Sequence, residues 1–219
     1  MNSKIPKRFN SLSMPHTFDL FATKVFVLRN KDFIEDNKSL VKSIKKHRIE
    51  NKKSVRKSNY GGFHSDLDIG SLNGFKKIKL KLIDSYASII SINYRHECIL
   101  NKDNYKDIKK SFESMWFIIN SKNNSNSIHM HPRAWLACSY YIKLPEKNNI
   151  IMFHDPIQAR KQDADYIKHN VPIMVEEGDV VFFPGWFEHS VPENTSDEDR
   201  IVISCNFRKP NFIGKIKEK

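Results

Sequence analysis

The stretch GDVVFFPGWFEHSVPENTSDEDRIVISCNFR, residues 178–208, decides how the rest of the chain is interpreted. An apolar run at Val180–Phe183 follows a Glu-Gly-Asp turn signal, and a second, β-branched run begins at Ile201. Two such runs, separated by Pro-Gly and by a polar loop, predict two β-strands. His189 lies just beyond the first strand, and Arg200 opens the second strand eleven residues later.

These two side chains have complementary chemistry. An imidazole can hold a metal ion, and a guanidinium can hold a carboxylate through two parallel hydrogen bonds. Placed side by side at the mouth of a β-barrel, His189 and Arg200 would suit a metal and an anionic co-substrate.

A second pair of histidines strengthens the metal interpretation. In His129-Met130-His131, a strand would point both imidazoles to the same side, and Pro132 keeps the residue before it extended. With His189, this gives three imidazoles from two distant strand ends. Imidazole suits Fe, Zn, Cu or Ni, and three ligands on one face leave coordination positions open.

The second half of the chain has the pattern of a β protein. Apolar and β-branched runs recur between turn signals, at 115–120, 127–131, 134–144, 150–154 and 171–175. Many short strands of this kind predict a sandwich or barrel. The N-terminal part predicts a strand at 21–28 and two helices, the first capped by Asp36 or Asn37 and the second covering 75–94.

The expected fold class is therefore mainly β (α+β), with N-terminal helices packed on a β core. We expect an irregular lead-in over 1–20 and one domain over 21–219. Its helical support covers about 35–95 and its β core about 114–208. The paired glycines Gly61 and Gly62 predict a turn. The neighbouring Asn, His, Ser and Asp side chains could line a pocket, but a solvated loop is favoured for residues 58–66.

Composition narrows the functional classes. The 219 residues include three cysteines in no CxxC pattern, which predicts a reducing, cytoplasmic location. No signal peptide or membrane span is evident. There is no GxSxG motif and no phosphate-binding glycine loop, so nucleophilic catalysis is not supported.

Charge is concentrated at the N-terminal end. Residues 1–60 hold fifteen Lys+Arg and five Asp+Glu, a balance of +10 within a total of +12. Such a basic end can bind an anionic partner, but no nucleic-acid motif accompanies it, so a solvated lysine-rich surface is favoured over nucleic-acid binding.

Taken together, the motifs resemble those of Fe(II)- and 2-oxoglutarate-dependent oxygenases, in particular a bacterial and phage group of 2-oxoglutarate-Fe(II) oxygenases. The resemblance extends from Phe21 to Phe207. Its segments are Ser58-Asn59-x-Gly-Gly-Phe-x-Ser65, Trp116-x-x-x-Asn120, His129-x-His131-Pro132, Ser139-Tyr140-Tyr141-Ile142, Phe153-x-Asp155-Pro156, Phe183-Pro184-x-Trp186-x-x-His189-x-Val191, Arg200 and Ser204-x-Asn206-Phe207.

The resemblance implies a double-stranded β-helix, a jelly-roll and cupin-like fold, with Fe(II) at its open end. It implies that His189 is the distal metal ligand and that Arg200 binds the far carboxylate of 2-oxoglutarate. Tyr141 and Asn120 are expected to hydrogen-bond this co-substrate. With O2, such an enzyme would hydroxylate a primary substrate, here an unidentified small molecule or protein side chain.

Two positions depart from the family pattern. The usual metal triad is His-x-Asp/Glu followed by His, and the acid position is His131 here. Either His129, His131 and His189 all bind the metal, or water or an outer acid completes two histidines, or Asp155 supplies the acid. The all-histidine triad is favoured, because Asp155 before Pro156 is typical of a turn. Val202 replaces a serine that helps to hold 2-oxoglutarate in many relatives.

Two other functions stay open. One is a cupin-like dioxygenase that uses three histidines without 2-oxoglutarate. The other is a non-catalytic β-barrel recognition module with a structural metal. The remaining histidines considered are expected to be exposed or hydrogen-bonded, and none is assigned to the metal: His16, His64, His96, His154 and His169. Met130 is expected to pack, Trp186-Phe187 to be core or substrate entrance, and the oligomeric state is not readable.

Overall fold

A computed structural model describes residues 22–29, 31–93, 101–146, 149–157 and 169–213. The predicted lead-in at 1–20, Phe21 and His96 lie outside these ranges.

The helices in the described residues are α1 (Ile34–Glu50), α2 (Lys76–Asn93) and α3 (Lys102–Ser111), with short 3-10 turns at Lys31–Phe33, Ile69–Ser71 and Asn73–Phe75. The strands are β1 (Phe26–Arg29), β2 (Asn59–Tyr60), β3 (Phe63–His64), β4 (Phe112–Asn120), β5 (Ser125–His129), β6 (Leu136–Lys143), β7 (Ile150–His154), β8 (Asn170–Met174), β9 (Asp179–Pro184), β10 (His189–Val191) and β11 (Arg200–Phe207).

The strands form two antiparallel sheets. The larger sheet has the order β1-β9-β6-β11-β4-β3, and the smaller one has the order β2-β5-β10-β7-β8. From β4 to β11 the chain crosses repeatedly between the sheets, and the β7–β8 hairpin stays within the smaller one. This winding is a double-stranded β-helix, and it confirms the predicted fold class.

Side-chain alternation along β11 divides the larger sheet into an outer and an inner face. Ile201, Ile203, Cys205 and Phe207 belong to the hydrophobic cluster shared with the helices. The alternate residues, Arg200, Val202, Ser204 and Asn206, line a cavity between the sheets. A period of two therefore places a core surface and a site surface on one strand.

Two hydrophobic clusters hold the domain together. The larger one joins α1 and α2 to the outer face of the larger sheet, and Tyr86 of α2 stacks on Phe207 with 4.3 Å between ring centroids. The smaller one lies between the sheets and includes Phe153, Phe183 and Val202. The helices thus brace the sheet whose inner face carries the site.

The prediction that Asp36 or Asn37 caps the first helix is wrong. The helix begins at Ile34, so both side chains lie within its first turns and make tertiary contacts instead. Asp36 forms ion pairs with Lys77 at 2.5 Å and with Lys81 at 2.6 Å. Asn37 donates to the carbonyl of Ile142 at 2.9 Å and accepts from the Tyr140 hydroxyl.

The expectation of a solvated loop at 58–66 is also wrong. Strand β2 pairs with β5 of the smaller sheet, and β3 pairs with β4 of the larger one, so this hairpin connects the two sheets. Gly61 has φ of 76°, and a Cβ at Gly62 would lie 2.3 Å from the Asn120 side chain. The turn therefore requires glycine at both positions.

No helix among the described residues combines the length and apolarity needed to cross a lipid bilayer.

The Asp36 ion pairs make the attachment of α1 to α2 dependent on pH. Burial of the carboxyl opposes its ionisation, but Lys77 and Lys81 together outweigh burial and hold the pKa of Asp36 below its ordinary 3.8. A lowered native pKa stabilises the fold above the unfolded-state pKa, and this contribution is lost as pH falls through the native pKa.

We expect Asp36→Asn to lower the free energy of unfolding on the order of 1 kcal/mol at pH 7. The difference from the unmodified protein should begin to shrink as pH falls below about 3.8, where the unfolded-state carboxyl takes up a proton, and should vanish once the native carboxyl is protonated as well. Urea unfolding at pH 7 and pH 3.5 measures both. Asp197→Asn, which removes an exposed pair with Lys122, is the matched control; an equal loss in both variants at pH 7 would contradict the tertiary role of Asp36.

Candidate metal and co-substrate site

The cavity between the two sheets has a volume of about 530 Å³. Its walls are inward-facing residues of β4, β5, β6 and β11, and apolar side chains such as Ile118, Ile151 and Val202 form much of its surface. The volume lies in the usual range for small-molecule sites, about 300–1,000 Å³.

Three histidines meet at this cavity. His129 ends β5 and His189 begins β10, and the two residues are direct cross-strand partners. His131 follows two residues after β5. One ring nitrogen from each histidine lies within 4.8 Å of those of the other two. The ring centroids are 4.2 Å apart for His129–His189, 5.1 Å for His131–His189 and 5.5 Å for His129–His131.

A backbone contact fixes His131 beyond the end of its strand. Its N–H donates to the carbonyl of Gly185 at 2.7 Å, and its own carbonyl accepts from Ala134 at 3.2 Å. A Cβ at Gly185 would lie 2.2 Å from the Ala134 carbonyl oxygen, so only glycine permits this approach. The Pro-Gly turn after β9 thus holds the segment that carries His131.

Hydrogen bonds set the tautomer of all three rings. Each Nδ1 faces an oxygen: the Ser127 carbonyl at 2.8 Å for His129, the Asn206 side-chain carbonyl at 2.7 Å for His131, and the Phe187 carbonyl at 3.0 Å for His189. Because these oxygens only accept, each Nδ1 must carry the proton. The three Nε2 atoms therefore keep their lone pairs, as metal ligands require.

The three rings are also neutral. Burial, with repulsion from His129 and His131, lowers the pKa of His189 to about 2. Burial and repulsion from His129 lower the pKa of His131 to about 4, and burial lowers the pKa of His129 as well. Neutral imidazole is the form that binds metals, so near pH 7 no proton need be displaced.

No carboxylate joins this group in the part of the chain that the structure describes. Asp155 accepts from the Ile157 N–H at 2.9 Å in the turn after β7, as expected for an Asp-Pro turn. The arrangement brings together the favoured triad and leaves Asp155 in a structural role in the turn.

Arg200 and Tyr141 form a second polar region of the cavity. Arg200 is 3% exposed, and its Cζ lies 5.4 Å from the centroid of the Tyr141 ring. Its acidic neighbours bond elsewhere, Glu198 to Lys143 at 3.0 Å and Asp199 to the Ser121 hydroxyl at 2.6 Å. Arg200 is therefore not a surface arginine paired with its acidic neighbours.

Both groups keep unused hydrogen-bonding capacity. The Arg200 Nε and the Tyr141 hydroxyl make no hydrogen bond of acceptable geometry to a described residue. Burial raises the pKa of Tyr141 to about 12 against the opposing charge of Arg200, so the phenol remains a donor. Buried donors of this kind are costly unless an acceptor binds them, and a carboxylate fits both.

Asn120 lies behind this region. It is fully buried, and its Nδ2 donates to the Asn126 Oδ1 at 2.8 Å. Asn126, not Asn120, lines the cavity. No feature of the sequence favours Asn126, because it occurs in an asparagine- and serine-rich run where single residues carry little information.

Sequence reasoning missed Trp116 as a residue of the cavity wall, and His64, one of the side chains that could line a pocket, also lies there. The two rings stack with 5.7 Å between centroids and 10° between planes, and Trp116 also contacts the His131 ring at 5.5 Å. His64 is 3% exposed and bonds the Ser65 carbonyl through Nδ1 at 2.6 Å. It is hydrogen-bonded, as predicted, but it lines the cavity.

Two other expectations concern the cavity edge. Met130 does not pack in the core, because it is 45% exposed and lines the cavity. Phe187 belongs to the inner cluster, whereas Trp186 is 52% exposed and is not among the cavity-lining residues.

Comparison with known proteins agrees with this geometry. The family model described as "Putative 2OG-Fe(II) oxygenase" matches residues 114–206, which include all three histidines, Arg200 and Tyr141. No curated protein matches the chain. This match, over 93 of the 219 residues, agrees with the resemblance found in the sequence.

Solved structures share the fold at low identity. A Pseudomonas putida prolyl-4-hydroxylase is 12% identical, with a TM-score of 0.58 over 85% of this chain and 94% of that one. A prolyl hydroxylase from Trichoplax adhaerens is 12% identical, with a TM-score of 0.56 over 84% and 83%. HygX from Streptomyces hygroscopicus, solved with nickel and 2-oxoglutarate, is 9% identical, with a TM-score of 0.54 over 87% and 84%. These likenesses show the fold alone.

The histidine geometry predicts a graded loss of metal affinity. His131→Ala removes an Nε2 lone pair, and Asn206→Ala removes only the acceptor that orients this ring. Loss of an outer partner typically costs about 10- to 100-fold in affinity, and we expect a larger loss for His131→Ala. Asp155→Asn should change nothing. Competition titration of Fe(II) or Ni(II), with circular dichroism to verify folding, measures the series.

If Asp155→Asn lost metal while His131→Ala kept it, the acid would complete the metal site and the all-histidine set would be wrong.

Proposed function

We propose that His129, His131 and His189 bind Fe(II) through Nε2, and that the domain, residues 21–219, is a 2-oxoglutarate-dependent hydroxylase. The observation that carries this proposal is the convergence of three neutral imidazoles, with ring nitrogens within 4.8 Å of one another, in one cavity with a buried and unpaired arginine. Three ligands on one side of the ion leave room for a chelating co-substrate and for oxygen.

Arg200 and Tyr141 bind the far carboxylate of 2-oxoglutarate in this proposal. The guanidinium presents parallel N–H groups, and the phenol adds one O–H donor. Val202 lines the cavity where many relatives have serine, so no hydroxyl from that position assists. Asn120 acts indirectly, because its hydrogen bond to Asn126 at 2.8 Å holds the amide that faces the cavity.

When bound, Fe(II) and 2-oxoglutarate supply oxygen activation: O2 and the oxoacid become succinate and CO2, and one oxygen atom enters a C–H bond of the substrate. The residues of the chain orient and shield this chemistry. Ile118, Ile151 and Val202 exclude water from the cavity wall, and the Asn206, Ser127 and Phe187 acceptors hold the imidazoles in the ligand tautomer.

A three-histidine dioxygenase without 2-oxoglutarate is the second candidate. It is favoured by one observation, the absence of a carboxylate from the ligand group in the described residues. The unpaired Arg200 argues against it, since an enzyme that binds its substrate directly to iron has no need of a buried carboxylate receptor. The structural-metal module is disfavoured because such sites normally have four protein ligands.

The primary substrate is a small molecule or a protein side chain in this proposal, and a cytoplasmic location agrees with the buried free thiols of Cys138 and Cys205.

Anaerobic titration with Fe(II) and 2-oxoglutarate tests the co-substrate. We expect a weak visible charge-transfer band that requires both components. Arg200→Ala should weaken 2-oxoglutarate binding by roughly 30-fold or more, because loss of a buried charge partner costs about 2–5 kcal/mol. Metal content should stay unchanged. Arg29→Ala, which removes an exposed arginine paired with Glu176 outside the cavity, is the matched control.

Iron binding without the band would favour the direct dioxygenase, and unchanged 2-oxoglutarate affinity in Arg200→Ala would exclude the role of this arginine.

A further inference from the structure

The outer edge of the cavity, called the mouth here, consists of the exposed lining residues Lys57, Leu67, Met130, Pro132 and Arg133. Two of these five are cations. Neither Lys57 nor Arg133 forms an ion pair with any residue in the described ranges, although the chain forms ion pairs elsewhere. The mouth thus presents two positive charges with free hydrogen-bond donors.

The position of Arg133 is fixed by an unusual backbone conformation. Its φ is 74°, in the left-handed region that residues other than glycine rarely adopt. The preceding Pro132 and the hydrogen bond from Ala134 to the His131 carbonyl at 3.2 Å confine the turn. Conformations of this kind persist where the surroundings enforce them, and they cluster at ligand sites. Here the turn fixes Arg133 two residues after His131, a proposed metal ligand.

Hydrogen bonds also hold the segment that carries Lys57. Its N–H donates to the Asn59 Oδ1 at 2.9 Å, and the Ser127 N–H donates to the Ser58 carbonyl at 2.9 Å. The Val55 N–H donates to the His64 carbonyl at 2.9 Å, so residues 52–57 run beside β3.

Negative charge at the cavity is already neutralised. Glu113 is the one carboxylate among the lining residues of the described chain, and its Oε1 accepts from Arg208 at 2.8 and 3.1 Å. The proposed metal ligands are neutral, so Fe(II) and the 2-oxoglutarate dianion cancel and Arg200 leaves one positive charge. If one of the three metal ligands were a carboxylate, its negative charge would cancel the remaining positive charge of Arg200.

From these charges we infer that the primary substrate is a small anion whose carboxylate or phosphate group binds Lys57 and Arg133 at the mouth while its reacting carbon faces the metal. This inference rests on the proposed function. The cavity of about 530 Å³ suits a small molecule, and the guanidinium and ammonium groups match the oxygens of either anion. A neutral or cationic substrate would leave both cations unmatched and would meet repulsion if cationic.

Thiol labelling at the mouth tests the inference without a known substrate. Leu67→Cys places a thiol among the lining residues, and Cys138 and Cys205 are fully buried. The protein loaded with Fe(II) and 2-oxoglutarate is labelled anaerobically with sulfonatoethyl methanethiosulfonate, an anion, or trimethylammonioethyl methanethiosulfonate, a cation. The protein without Leu67→Cys gives the background rate.

We expect the anion-to-cation rate ratio, divided by the same ratio for 2-mercaptoethanol, to fall by about tenfold when Lys57→Gln and Arg133→Asn are added. Asp66 and Asp68 flank the thiol in every variant, so the change in this ratio carries the test. Asparagine is chosen because it tolerates positive φ. Lys122→Gln, an exposed cation outside the cavity lining, is the matched control and should leave the ratio unchanged. If Arg133→Asn prevents folding, Lys57→Gln alone should still lower the ratio by about threefold.

An equal ratio with and without the two mouth cations would overturn the inference. The charge-transfer band, recorded on the same samples, separates this outcome from failure of the proposed function. Loss of the band would show that the metal and co-substrate site has failed, whereas the mouth cations would not affect it.

Paired compounds then decide which anion binds. Succinate release is measured with nucleosides against their 5′-monophosphates, and with amino acids against their carboxamides. Stimulation limited to the monophosphates assigns phosphate, and stimulation limited to the free acids assigns carboxylate. Equal stimulation by the neutral member of a pair would overturn the inference.

Discussion

The pairing of β5 with β10 is the contact on which the site depends. It places His129 and His189, sixty residues apart, directly opposite each other across two strands. The turn at Gly185 then brings His131 to the same point through a single backbone hydrogen bond of 2.7 Å. Because β10 has only three residues, its position relies on its neighbours β5 and β7, and those strands rely on the winding of the whole barrel.

Neutrality distinguishes the proposed metal centre from one with a carboxylate ligand. Three imidazoles, two buried and one half-buried, each with its proton held at Nδ1, would bring no charge to the ion, so the co-substrate dianion would balance Fe(II) completely. His131 stands where the family pattern has an acid. Asn206 of β11 supplies a hydrogen-bond acceptor for its ring, so the structure accommodates a histidine at this position. The same neutrality leaves Arg200 and the mouth cations as the net charge that a substrate meets.

Much of this could be predicted from sequence because strands have a period of two. That period predicted His129 and His131 on one side, although β5 ends at His129 and the contact with Gly185, not the strand, brings His131 to the site. The Pro-Gly turn and the β-branched run marked the strands around His189 and Arg200. Contacts between distant segments could not be predicted in this way. Asp36 is a residue type that favours helix N-caps, but in the structure it forms ion pairs with Lys77 and Lys81 of α2. The sequence around His64 is typical of a loop, but β3 pairs with β4 of the larger sheet, and this pairing buries His64.

The most direct test of the three-imidazole centre is a crystal structure of the anaerobic complex with Fe(II) and 2-oxoglutarate. It should show the Nε2 atoms of His129, His131 and His189 as the protein ligands, with the far carboxylate of the co-substrate on Arg200 and Tyr141. A carboxylate oxygen of the chain bound to the iron, with the His131 ring turned away, would contradict the neutral triad and the charge balance drawn from it.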